Sequence, residues 1–369
     1  MTEAMFVILF LTVRVIIVGG FLLFLPRIIR KGLLFGVYVG EDVAAGSAGQ
    51  KLVRSWRQGC VLVMLLSLSV GYGISLAGRP VTGNLTGTAV LLCSALLLYI
   101  VVYSRARKLV SADATLQASK AVASLEQRNP KEAGFAKLSL AICLIAALAN
   151  IAYAAISYRA LPGIDFAEAH ALVDKSIFIF LFFPYLNLVV SPLFALLALL
   201  TAGAKRSLRD GSDSHSLEAQ NAFRTMNVKA LSWIALLSCA FLTLLSVQFI
   251  RVRLAEVESL GTAVWWLAGA LFMCIAAFLI RIIKGYGQGG SLREFGSAQT
   301  PLSGSLADNE HWVLGLFYFD RNDPAMMIEK RFGFGYGLNY GNRNAMLFAV
   351  VFLALFAGLI TLAILGFAN

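Results

Sequence analysis

The chain has 369 residues, 59% of them hydrophobic and only 14% charged, with a mean hydropathy of +0.78. A soluble domain carries about 25% charged and about 45–50% apolar residues, so this composition argues against an ordinary soluble enzyme. The net charge of +11 is shared among several segments, and no long basic tract points to a nucleic-acid partner.

Eight apolar runs reach the roughly 20 residues that a helix needs to cross a hydrocarbon core. They cover 4–25, 59–78, 85–103, 138–158, 176–201, 230–250, 262–283 and 345–366. The runs are continuous, not alternating, which favours helices over barrel strands, because lipid leaves no partner for an unpaired backbone group. The predicted fold class is therefore an all-α polytopic membrane protein of about eight transmembrane helices. The first run lacks a basic segment before it and is interrupted by Arg14, so it reads as a retained helix and not as a cleaved signal.

Charge sets the expected orientation. The segments after helices one, three, five and seven hold 6, 7, 5 and 7 Lys and Arg residues, whereas the termini and the other three connections together hold 5. Basic loops face the cytoplasm, so both termini are expected outside the inner membrane of a bacterium. The five cysteines, Cys60, Cys93, Cys143, Cys239 and Cys274, all fall in apolar runs. They read as small buried hydrophobes, not as a disulfide framework or metal ligands.

In the first connection Pro26 is expected to end the helix, and Arg27, Arg30 and Lys31 sit where anionic headgroups would be. The second, from Arg105 to Lys137, reads as a helical extension broken at Asn129-Pro130. The third carries Asp-Gly and serine turn signals. The longest outer connection, Tyr158 to Lys175, holds Pro162-Gly163 and three acids, and Asn84-Leu85-Thr86 formally matches a glycosylation acceptor in a short outer turn.

The fourth cytoplasmic segment differs from the others. A Gly/Ser-rich linker leads into "HWVLGLFYF", which has the aromatic and β-branched content of a strand. "DRNDP" then supplies a turn, "AMMIEKRF" a second short element and "GFGYGLNYG" the glycines for tight bends. Its seven basic and six acidic residues nearly balance. A small β-rich or irregular cap fits better than a basic tail. The chain thus divides into a seven-helix membrane part over 1–283, a linker and cap over 284–344, and a last helix over 345–369.

The block from Trp312 to Asn339 resembles the C-terminal box of an uncharacterised bacterial family of multi-pass membrane proteins, known only as a domain of unknown function. Trp312, Gly315, Phe317, Tyr318, Asp323, Pro324, Lys330, Arg331, Gly333, Gly335 and Asn339 match its pattern. The first-loop stretch "FGVYVGEDV" is similar to the F-G-V-x-V-P-E that follows the first helix in those proteins and in the wider SdpI-like group, with Gly40 in place of the proline. The two blocks cover about 60 residues. The resemblance implies an architecture and, through the SdpI-like group, a part in signalling or in immunity against secreted toxic peptides.

Candidate sites are few. Arg14 lies near the middle of helix one, where a charge costs at least about 2.5–3.5 kcal/mol. It either tethers helices or snorkels outward, or it binds an anion or lipid headgroup beside Asn150, Tyr185 and Asn187. In "FFPYLNLVVSP", Pro184 and Pro192 each free a carbonyl, which Asn187 and Ser191 either re-satisfy or present to a ligand; a plain kink is the simpler reading. In the cap, Trp312, Tyr318, Asp323, Lys330, Arg331 and Asn339 are candidates for fold-making or headgroup contact. Asp320, Asn322 and Asp323 read as self-capping and not as a metal site. No metal, cofactor or catalytic residue is expected: His170, His215 and His311 fall on different loops, and no intramembrane acid pair or nucleophile motif is present. The expected function is regulatory or protective, sensing or sequestering a membrane-active molecule such as a peptide or an anionic lipid. The alternative is a transporter or binding protein for a small anionic or lipid-like substrate.

Overall fold

The structure, a computed structural model, describes residues 3–29, 31–110, 130–159, 176–204, 214–254, 256–287, 309–333 and 335–367. The expected break at Asn129 and the Gly/Ser-rich linker fall largely outside them, as do most of the longest outer connection and the turn signals of the third loop.

The described residues form eight long helices: α1 (Glu3–Ile28), α3 (Ser47–Leu76), α4 (Pro80–Arg107), α5 (Pro130–Arg159), α6 (Ser176–Ala202), α7 (Ser214–Arg253), α8 (Thr262–Arg281) and α9 (Arg343–Phe367). A short α2 (Glu41–Ala45) leads into α3. Seven of them, α3 to α9, are long and apolar enough to cross a membrane by length and composition. Pro26 does not end α1, which continues to Ile28. Nor do Pro184 and Pro192 break α6, since each costs one backbone bond while the rest of a long apolar helix persists. Helix α7 extends well before its apolar run, beginning at Ser214 in polar sequence.

The helices pack in two groups. In the first, α1 lies against the antiparallel pair α3 and α4. Close approach there depends on small residues: a Cβ on Gly71 would meet Leu11 and the Gly83 carbonyl, and one on Gly87 would meet the Gly71 Cα at 3.1 Å. The Ser67 hydroxyl donates to the Gly87 carbonyl across this seam at 2.7 Å. Short side chains let two backbones touch where lipid offers no hydrophobic drive. In the second group α5, α6 and α7 pack mutually, α9 lies on α6 and α8 on α7. Their interior is stacked in layers: Ala136 with Ala198, Ala202 and Val228; Cys143 with Ala195, Ala235 and Cys239; Ala154 with Phe180 and Ile250.

At one end of the bundle the described residues form three two-stranded antiparallel hairpins: β1 (Leu33–Leu34) with β2 (Val37–Tyr38), β3 (Trp312–Val313) with β4 (Phe317–Tyr318), and β5 (Met327–Glu329) with β6 (Tyr336–Leu338). The first hairpin lies in the connection after α1; the other two form the cap before α9. "HWVLGLFYF" is thus a hairpin and not one strand. Leu314 and Gly315 both take positive φ, 53° and 65°, and turn the chain back on itself. Phe35 and Gly36, at 48° and 82°, do the same between Leu34 and Val37, the two-residue turn with both φ positive that suits a twisted hairpin.

Candidate functional site

The cap and the first-loop hairpin form a single clasp. Asn309 is its centre: its side-chain amide donates to the Tyr38 carbonyl at 3.1 Å, and its Oδ1 accepts from the Tyr38 amide at 3.1 Å. The same Oδ1 accepts Nη1 of Arg331 at 2.6 Å. These partners are 271 residues apart in the chain. Above them the Tyr99 hydroxyl of α4 lies within hydrogen-bonding reach of the Phe35 carbonyl, at 3.1 Å, and of the Leu314 carbonyl, at 2.8 Å. One helix therefore holds the turns of two hairpins. Phe332 completes the apolar filling, with its ring 4.6 Å from that of Tyr99 and 6.1 Å from that of Trp56.

Five of the six expected cap residues interlock. The Trp312 ring stacks obliquely on Tyr318 at 5.2 Å, and the Arg331 guanidinium lies 5.0 Å from the Trp312 ring centre. Arg331 is 0% exposed, with its guanidinium against Trp312 and Asn309. Asn339 organises the turn. Its amide faces the carbonyls of Asp320, Asp323 and Ala325 at 2.9, 3.0 and 3.2 Å, and its Oδ1 accepts from the amides of Asp320 and Gly341. Asp320 and Asp323 accept the amides of Asn322 and Ala325, the self-capping expected of "DRNDP". The Tyr318 hydroxyl donates towards Asp323 at 3.2 Å. Burial, with the Asp323 and Asp320 carboxylates beside it, raises the Tyr318 pKa well above the ordinary phenol value. Lys330, the sixth, lies exposed on the β5–β6 hairpin. Asn342 then caps α9 by accepting the amides of Asn344 and Ala345.

The four expected bundle residues do not converge on one ligand position. Nη2 of Arg14 meets the Asn84 carbonyl at 3.2 Å and its Oδ1 at 2.6 Å, both near the start of α4. The residue in the glycosylation-like triplet is therefore the arginine's partner within the protein. Tyr185 donates to the Leu355 carbonyl of α9 at 3.1 Å. Asn187 donates to Thr243 of α7 at 2.8 Å and accepts from Ser191 at 2.6 Å, so the polar residues between the two prolines join α6 to α7. Asn150 differs. It is 3% exposed on α5, and both its amide atoms lack a hydrogen-bond partner, as does the Oγ of buried Ser246 on α7. Among the described residues no group of three or more His, Cys, Asp or Glu is placed to hold a metal, and the five cysteines are free.

Sequence reasoning did not find Asn84, Tyr99, Thr243 or Asn309. The last had a faint signal, an asparagine three residues before Trp312 in the run Asp308-Asn309-Glu310. Tyr99 had none, because it sits in an apolar run like any interfacial aromatic.

Seven membrane-length apolar helices and a strand-containing cap fit a multi-pass membrane protein. Residues 321–343 match a family described as "Family of unknown function (DUF5808)". The match spans the turn after β4, the β5–β6 hairpin and the first residue of α9, in agreement with the likeness to an uncharacterised family. Neither the curated proteins nor the solved structures include one that matches the chain.

Proposed function

We propose that the chain is a non-catalytic protein of the bacterial inner membrane, with eight transmembrane helices, both termini outside and the clasp in the cytoplasm, that senses or sequesters a membrane-active molecule. The clasp carries this reading. It bonds the connection after α1 to the segment before α9 through Asn309 and Tyr38, so a ligand that shifts the first helix group against the second must act on it. The distribution of Lys and Arg supports the orientation, and the similarity of "FGVYVG" to the SdpI-like loop supports a protective role. In bacteria sensitive to a cationic amphipathic peptide toxin, expression should raise survival, and Asn309→Ala should abolish the gain with membrane levels unchanged. Survival equal to that of cells lacking the protein would contradict the proposal.

One observation favours a second reading, a transporter or binding protein for a small anionic or lipid-like substrate. Asn150 and Ser246 are buried polar groups without hydrogen-bond partners, and a buried polar atom left unpaired costs about 1–3 kcal/mol. Transporters place such polar groups near mid-depth between packed helices, where a substrate can satisfy them. Saturable uptake into proteoliposomes that is lost in Asn150→Leu supports it; no uptake by the wild type rejects it.

A further inference from the structure

A groove of about 450 Å³ lies between α7 and α8. Its mouth carries two cations from different helices, Lys229 and Arg281. Both are exposed, and among the described residues neither side chain makes an ion pair or hydrogen bond. Thr225, also lining the groove, gives its hydroxyl to the buried Glu132 and is engaged within the protein. Deeper in, the lining turns apolar. Trp233 lies one helical turn below Lys229, and Ala277 and Cys274 lie one and two turns below Arg281. A cationic mouth above an apolar channel roughly 10 Å deep matches the order of charge and hydrocarbon in one leaflet of a bilayer. Tyr286 closes the clasp end of the groove. Its ring is 6.4 Å from that of Phe223, which is in turn 6.2 Å from Tyr336 in the cap.

We propose that this groove binds an anionic phospholipid, with the phosphate between Lys229 and Arg281 and the acyl chains along Trp233, Ala277 and Cys274. The assignment does not depend on the sensing role. It requires only that the chain sits in a membrane with its clasp end at a lipid surface. Occupancy would bear on Tyr286, and through Phe223 on the seating of the cap.

The test is native mass spectrometry of the full-length protein in mild detergent, supplied with equal amounts of phosphatidylglycerol and phosphatidylcholine. Wild type should retain phosphatidylglycerol preferentially. Lys229→Gln with Arg281→Gln should lower that retention roughly 25-fold, about fivefold for each charge near a lipid surface. Ala277→Phe, which fills the channel and keeps both charges, should lower it as well. Excess inorganic phosphate should leave retention unchanged, which separates a lipid site from a free-phosphate site. Equal retention of the two lipids, displacement by phosphate, or undiminished retention in Ala277→Phe overturns the site. Should the double charge variant fail to fold, Ala277→Phe decides alone.

Discussion

Gly36 and Gly315 meet backbone against backbone. A Cβ on Gly36 would lie 2.6 Å from the Gly315 carbonyl oxygen, and one on Gly315 would lie 2.8 Å from the Gly36 Cα. The two turns of the clasp therefore touch at positions where no side chain fits and where φ is positive. Gly36→Ala should lose about 1–2 kcal/mol to the left-handed conformation and a further 1–3 kcal/mol to the forced separation of the hairpins. Gly78→Ala, in the turn after α3, is the control, since Gly78 has φ +83° but nothing within 4 Å of its Cβ position, and it should lose only the first amount. Thermal unfolding of both variants in detergent checks this; equal losses would mean that the turns are not in contact.

Asn339 should be the most sensitive polar residue of the matched segment. Asn339→Ala leaves the carbonyls of Asp320, Asp323 and Ala325 without their shared donor inside the cap. The expected loss is roughly 3 kcal/mol, together with faster proteolysis of the segment before α9. Asn339→Asp should do no better, because a carboxylate there would face three carbonyl oxygens.

These cases show where sequence stops being informative. Long apolar runs mark the helices because hydrocarbon tolerates little else, and "DRNDP" reveals its turn because each side chain caps its own backbone. The Gly36–Gly315 contact and the Tyr38–Asn309 pair join segments at opposite ends of the chain, and no local pattern records them. "LFGV" and "VLGL" are similar turn sequences, but only the fold places them face to face. Arg14 was legible as a residue in need of a partner. Asn84 was not legible as that partner, because three residues of an acceptor triplet look the same whether or not a guanidinium lies beside them.

The Arg14–Asn84 pair should act as a helix tether. In a double-mutant cycle with Arg14→Leu and Asn84→Leu, the coupling should be about 1.5–3 kcal/mol, the range for hydrogen bonds to a charged group. Asn84→Leu alone should keep part of the tether, because the backbone carbonyl of residue 84 still accepts from Nη2 of Arg14. Additivity within about 0.5 kcal/mol would remove the tether from the account.

The clasp should weaken in alkali through Tyr318. Its folded-state pKa is raised above the ordinary phenol value of 10.0 by burial first, and then by the Asp323 and Asp320 charges. The neutral phenol therefore contributes stability that is fully present below pH 10 and is lost as pH rises from the unfolded value towards the folded one. Between pH 9 and 11, about one unit either side of the ordinary phenol pKa, stability should fall more steeply in wild type than in Tyr318→Phe. Parallel curves would show that the phenol is not held neutral.

The side of the membrane that the clasp occupies decides the orientation of every helix. The most direct measurement introduces Arg321→Cys, at an exposed position on the cap, into a chain whose five native cysteines are replaced, and treats intact cells with a membrane-impermeant thiol reagent. A cytoplasmic clasp predicts labelling only after the cells are permeabilised. Labelling of intact cells at the same rate would put the clasp outside, reverse the orientation of every helix and contradict a cytoplasmic clasp.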